Sequence, residues 1–310
     1  MERKILVAVD GSPHSFNVLR YIGNLFSEVS EFRFHLLYIV SAGSLSAGKE
    51  WLDESELLNT LSKEGRHRYG AAKRYIGEAV LQLARRGIDP EQVTTSVQLA
   101  RMGVADDILQ EARKGLYDAL LIGRRGLSKL EQVFMGSISS SLLDKCHDVP
   151  IWMIDGAIHS AKVLVPMDGS VHALKAVDHL AFILHDNPKA EITLFHSSAM
   201  LASKGVSDIH DFKAQWGEEW CELHINGTDD LFHAPAQILR ESGFPEKRIH
   251  RLHTHRGIYP SRQILRQAVV DEFGTIVMGR RGGEAQKGIF KGVSDQVMAM
   301  AEGMAIWIVG

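Results

Sequence analysis

At 310 residues the chain is about twice an ordinary domain, and each half is long enough to enclose its own core. Thirty-five Lys and Arg against 38 Asp and Glu leave a net charge of -3, so no overall positive field exists to hold a nucleic acid backbone. Hydrophobic residues at 45% and charged residues at 24% are globular averages, and no apolar run approaches the roughly 18 residues that span a bilayer.

The chain opens on an apolar, β-branched run, residues 5–9, that ends at Asp10 and is too short for a signal-peptide core. Strands are predicted there and at 33–40, 93–99, 119–122 and 151–154, alternating with helical stretches at 15–26, 55–86, 105–113 and 137–146. In the third helix Ala105, Ile108, Leu109 and Ala112 form one apolar stripe for the sheet. Residues 41–55, rich in Ser, Gly and Ala, read as a loop over the carboxyl edge of the sheet or simply as a long crossover. The whole pattern then repeats. Lys4-Ile5-Leu6-Val7-Ala8-Val9-Asp10-Gly11-Ser12 returns as Lys162-Val163-Leu164-Val165-Pro166-Met167-Asp168-Gly169-Ser170, and Gly123-Arg124-Arg125-Gly126 returns as Gly279-Arg280-Arg281-Gly282. Ile151-Trp152 returns as Ile306-Trp307, and strands are expected in the second copy at 163–167, 192–196, 249–254, 275–278 and 306–309. Two α/β domains follow, residues 1–156 and 160–310, each a doubly wound five-stranded parallel sheet. One cysteine in each copy, Cys146 and Cys221, excludes a disulfide framework and a multi-cysteine zinc site, which fits a reducing, cytoplasmic setting.

Ligands of open α/β sheets collect at the carboxyl ends of the strands. There the first copy reads Gly123-x2-Gly126-x9-Gly136-Ser137, with Ser139, Ser140 and Ser141 close behind on a helix. Glycines admit a ligand where a Cβ would block it, and a helix amino terminus offers unpaired N–H groups to an anion, so the run reads as a phosphate cradle. Neither the Lys-bearing phosphate loop nor the dinucleotide fingerprint occurs. Arg124 and Arg125 are candidates to neutralise the phosphate; as an alternative they are solvated or ion-paired surface residues.

Together with Val7-Ala8-Val9-Asp10-Gly11-Ser12, this pattern resembles that of the universal stress protein family, once per copy over essentially the whole chain. The resemblance implies an adenine nucleotide α-hydrolase-like sheet of order 3-2-1-4-5 and a bound ATP or AMP, with or without Mg. Carried across, Asp10 meets the ribose or adenine edge and Ile39 lines the adenine slot. Gly123, Arg125, Gly126, Gly136 and Ser137 wrap the phosphates, and Val9, Gly11, Ile122, Ile138 and Ser139 complete the site. The second copy departs from the pattern. Asp168, Ser197, Met278, Gly279, Arg281, Gly282, Gly292 and Ser294 form a degenerate site, because one residue is missing after Gly292. Val293 stands where a hydroxyl belongs, and Asp295 in the first helical turn is expected to repel phosphate.

His196, His253 and His255 are a weaker zinc candidate, with scattered structural histidines the plainer reading. Trp216, Trp220 and Leu223, at i, i+4 and i+7 in one helix over 212–223, read as a packing stripe or as a hydrophobic-ligand groove. The last strands are apolar throughout, so the two copies are expected to meet through them as a pseudo-dimer within the chain; a homodimer is compatible with the same reasoning. The function implied is a nucleotide-binding stress sensor or scaffold. The alternatives are a slow ATPase or AMP-transferring enzyme and a nucleotide-free interaction module. Neither nucleic acid nor a membrane is an expected partner.

Overall fold

A computed structural model describes residues 2–41, 54–124, 136–199, 208–227, 230–255, 257–281 and 292–310. The chain divides into two compact units, Met1–Ala157 and Ile158–Gly310.

In the first unit β1 (Arg3–Ala8), α1 (Pro13–Phe26), β2 (Phe32–Val40), α2 (Glu54–Thr60) and α3 (Lys63–Ala84) precede β3 (Val93–Leu99), α4 (Val104–Lys114), β4 (Ala119–Gly123), α5 (Ser137–Lys145) and β5 (Ile151–Ile154). The strands run in the order β3-β2-β1-β4-β5, every pair parallel. Winding reverses at β1, where Ala8 pairs with Leu37 of β2 on one side and Ile122 of β4 on the other. That register brings Asp10, Ile39 and Gly123 to one edge. Each strand end matches its sequence expectation within two residues, but the helical stretch at 55–86 is two helices. Ser62 starts the second by accepting a hydrogen bond from the Gly65 N–H at 3.1 Å, a serine cap that ends one helix by beginning another. The core behind the sheet is aromatic: Phe26 packs 4.4 Å from Phe32 and stacks on Trp152 at 6.0 Å. Trp152 is therefore accounted for by its own unit and does not by itself call for a second one.

The second unit repeats the order with β6 (Lys162–Pro166), α6 (Val171–Leu184), β7 (Glu191–Ser197), α7 (Ile209–Trp216), α8 (Glu218–Cys221), α9 (His233–Glu241), β8 (Ile249–Thr254), α10 (Pro260–Val270), β9 (Thr275–Gly279), α11 (Val293–Met300) and β10 (Ala305–Val309). Its strands lie as β10-β9-β6-β7-β8, all parallel. The expected helix over 212–223 is broken at Gly217, whose φ of 85° no helical residue adopts, and after α8 the chain widens into a π-helix, Glu222–Asn226. Trp216 still stacks on Trp220 at 5.9 Å, but Leu223 is 62% exposed, so the three residues do not form the stripe the spacing predicted.

Candidate functional site

The edge where β1 and β4 end is built from short-range hydrogen bonds. Asp10 Oδ1 accepts from the Ser12 N–H at 3.0 Å and the Ser15 hydroxyl at 2.7 Å, while Ser12 Oγ accepts from the Ser15 N–H at 3.3 Å. One carboxylate oxygen thus closes the turn into α1. Val9 is buried and donates its N–H to the Leu37 carbonyl at 2.9 Å. Gly11 takes φ 75°, a left-handed turn that glycine enters without strain, and a Cβ on it would lie 3.6 Å from the Tyr38 hydroxyl and 3.7 Å from the Tyr75 ring.

Tyr38 is the residue that motif reading passes over. Alternation along β2 sends Ile39, which is buried, to one face and Tyr38 to the other. There Tyr38 donates its hydroxyl to the Asp10 carbonyl at 2.9 Å and meets Tyr75 of α3 edge-on at 6.0 Å. Burial, with the Asp10 carboxylate nearby, pushes the Tyr75 hydroxyl up to about 12, so both phenols are neutral donors at ordinary pH. Tyr38 ties down the end of the first strand, with Tyr75 packed against its ring.

Across the edge, β4 ends on Ile122 and Gly123, and α5 begins at Gly136 with no side-chain cap on its first N–H groups. Ser137 and Ile138 are exposed in its first turn; Ser139 is buried and donates its hydroxyl to the Gly123 carbonyl at 2.9 Å, so it fastens the helix to the strand. The Gly136 N–H donates to the Arg124 carbonyl at 3.0 Å, and the Arg124 N–H donates to the Ile154 carbonyl at 2.9 Å. The Arg124 guanidinium turns inward, 1% exposed, and pairs with Asp155 at 3.3 Å. This corrects the expectation that Arg124 neutralises phosphate: a buried arginine held by a buried carboxylate does not face a ligand at the edge. Arg125 and Gly126 lie outside the described residues. A surface cleft of about 600 Å³, lined by Met102, Asp106, Leu109, Arg113 and Lys145 among others, lies between α4 and α5 and shares no residue with the strand ends.

In the second unit Asp168 Oδ1 accepts from the Ser170 N–H at 3.0 Å, as Asp10 does from Ser12. His196 occupies the position of Tyr38, and its Nδ1 lies 2.7 Å from the Met167 carbonyl. Ser197 is buried, and its hydroxyl finds no partner among the described residues. Met278 is buried beside Gly279, on which a Cβ would sit 2.1 Å from the His172 carbonyl oxygen, so packing of β9 on the first turn of α6 requires glycine there whether or not a ligand binds. Arg281 is exposed at the end of the strand, Gly282 lies outside the described residues, and Gly292 opens α11 just ahead of Ser294 with no side-chain cap.

Asp295 is explained by a different charge from the expected one. Gly310 stands where the first unit has Asp155, and Arg280, the counterpart of Arg124, finds Asp295 at 3.9 Å instead. Its negative charge is thereby shared with an arginine, which weakens the repulsion expected for phosphate.

The imidazoles of His196, His253 and His255 do come together, with ring centroids 4.8 Å and 4.3 Å apart, and His253 Nε2 lies 2.9 Å from the Ser198 hydroxyl. Burial and the two neighbouring rings lower the His253 pKa. Among the described residues, however, no group of three His, Cys, Asp or Glu is arranged to hold a metal ion.

The sequence profile of the universal stress protein family matches residues 1–154 and again residues 160–304. The chain belongs to the universal stress protein family, as a tandem of two such domains. In structure it is similar to a universal stress protein from Archaeoglobus fulgidus DSM 4304, 19% identical, with a TM-score of 0.63 over 99% of this chain and 97% of that one. A functionally unknown protein from Pseudomonas aeruginosa PAO1 is similar at 15% identity and a TM-score of 0.54, over 99% and 92% of the two chains. At these identities the likeness concerns the fold. No curated protein sequence matches. Among the described residues of this tandem universal stress protein, no helix is long and apolar enough to cross a membrane.

Proposed function

We propose that the first universal stress protein domain binds an adenine nucleotide, ATP or AMP, and that occupancy makes the chain a sensor or scaffold in the stress response. The observation that carries this reading is the junction of β1 and β4 with the uncapped amino end of α5, held in place by the Ser139–Gly123 and Gly136–Arg124 hydrogen bonds. Free N–H groups at a helix start suit phosphate oxygens, and a fixed junction offers them without reordering. The base would lie against Ile39 and the Val9–Gly11 turn. Binding rather than rapid hydrolysis fits the described residues, because fast phosphoryl transfer needs a positioned base and a cation on the departing phosphate, whereas Arg124 is engaged by Asp155.

Titration calorimetry with ATP and AMP tests the reading, together with Gly136→Val. Gly136 has φ -65° and ψ 148°, a conformation valine adopts freely, so the substitution removes room beside the helix start without straining the backbone. Loss of binding with a melting transition that stays cooperative is the expected result. A variant that binds as tightly as the native chain overturns the assignment.

A further inference from the structure

The outward face of α10 is unlike the rest of the surface. The helix buries Ser261, Ile264 and Ala268. Its opposite face carries Arg262, Arg266, Val269 and Val270 at helical spacing, and Ile258 and Tyr259 stand exposed immediately before its first turn. Of the eleven large apolar residues exposed among the described residues, four lie here, Ile258 at 50%, Tyr259 at 43%, Val269 at 67% and Val270 at 62%, and a fifth, Met300, belongs to α11 alongside. Between the two helices is a hollow of about 260 Å³ lined by Tyr259, Ser261, Arg262, Gln296, Ala299 and Met300. Its polar floor is satisfied, since the Ser261 hydroxyl donates to Gln296 Oε1 at 2.7 Å. Apolar residues thus stand at both ends of the face with two arginines between them. Arg262 lies 5.3 Å from the Tyr259 ring, and among the described residues neither it nor Arg266 has an ion pair. No carboxylate occurs within α10; Asp271 and Glu272 follow its last residue, and Glu302 follows α11.

The first unit carries an ionic version of this face, beside its own cleft of about 600 Å³. Its equivalent positions are Met102, Gly103, Asp106, Gln110, Arg113 and Lys114, and there Lys145 pairs with Asp106 at 2.6 Å and Arg113 with Asp148 at 2.7 Å. The second unit has replaced that ionic surface by an apolar one that keeps only cations.

We propose that the α10 face of the second unit is a docking surface for an acidic, amphipathic helical segment of a partner protein. An apolar side chain of the partner seats in the hollow between α10 and α11, and carboxylates one turn apart meet Arg262 and Arg266, themselves one turn apart. The charge of the face selects an acidic partner, and the hollow favours a protruding side chain over a flat lipid surface.

The test uses the full chain and a fluorescein-labelled helical peptide of about 14 residues, with Leu at i, i+4 and i+7 and Glu on either side, beside a counterpart with Lys in place of every Glu. Fluorescence polarisation is expected to show the Glu peptide binding about tenfold or more tightly than the Lys peptide, and the Arg262→Glu/Arg266→Glu variant is expected to reverse that order. Val269→Ser/Val270→Ser is expected to weaken both. These positions are exposed, so the variants keep the fold. No binding of the Glu peptide, equal binding of the two peptides, or an order unchanged by the double charge reversal overturns the proposal. So does sedimentation of the chain with phosphatidylglycerol vesicles while the Glu peptide is ignored, which would assign the face to a membrane surface instead.

Discussion

Asp155→Ala leaves a buried guanidinium beneath the candidate phosphate cradle without its carboxylate. The native side chains are 2% and 11% exposed and approach to 3.3 Å. Removing one partner of a buried pair costs about 3–5 kcal/mol, chiefly because the surviving charge stays out of water. A slightly exposed aspartate places the effect near the lower end, about 3 kcal/mol, which in a unit of this size lowers the unfolding midpoint by roughly 6–12 °C. Trp152, three positions before Asp155 and stacked in the same core, makes the transition of the first unit visible by fluorescence. Arg124→Met/Asp155→Leu removes both charges and is expected to recover most of the loss, since a buried pair exchanged for apolar groups of similar volume is commonly close to neutral. The matching change in the second unit, Asp295→Ala, disturbs a wetter contact of 3.9 Å with side chains 17% and 36% exposed, and is expected to cost less than about 1 kcal/mol. A drop below 1 kcal/mol for Asp155→Ala, or a double variant no more stable than the single one, refutes the reasoning.

Three further outcomes are expected. His179 is partly buried against Trp307, and desolvation pushes its pKa from 6.5 down to about 3, so it folds neutral while the unfolded chain takes up a proton below 6.5; its contribution is complete above that pH and lost as pH falls toward 3. Relative to His179→Leu, the native chain should therefore lose about 2 kcal/mol between pH 7 and pH 5, read from urea midpoints, and an equal gap at both pH values would contradict this. Gly279→Ala should destabilise the second unit by about 3 kcal/mol or more, because its Cβ meets the His172 backbone at 2.1 Å; a melting point within 2 °C of native would show that β9 and α6 part easily. Calorimetry on the full chain should give one nucleotide per chain, since α11 lacks the serine that opens α5, and a stoichiometry of two would show that Arg281 and the Asp295–Arg280 pairing make the second site competent.

The strands and the position of the edge were legible because the repeat doubles every signal: a short β-branched run ending in Asp-Gly-Ser, and another ending in Gly-Arg-Arg-Gly, can be aligned against themselves, while the strand order came only from the family resemblance. What remained hidden was side-chain direction. Arg124 and Arg125 are adjacent and chemically identical, and only the Asp155 carboxylate, 31 positions on, tells which way the first one turns. Asp295 looked repulsive because its arginine is 15 positions away in sequence. The helix over 212–223 failed for a local reason, Gly217 at positive φ, which outweighs the spacing of two tryptophans. Tyr38 could have been found from the repeat itself, since the offset that aligns Asp10 with Asp168 also aligns it with His196.

That exchange of tyrosine for histidine has a consequence for where a lone pair sits. In both units the second strand clasps a backbone carbonyl where the first strand ends, through the Tyr38 hydroxyl onto Asp10 or through His196 Nδ1 onto Met167. A carbonyl only accepts, so Nδ1 of His196 carries the hydrogen and the lone pair of that tautomer sits on Nε2. The histidine clasp thus adds a nitrogen acceptor to a ring whose centroid lies 4.8 Å from that of His253, whereas the ring edge of Tyr38 that meets Tyr75 is carbon alone.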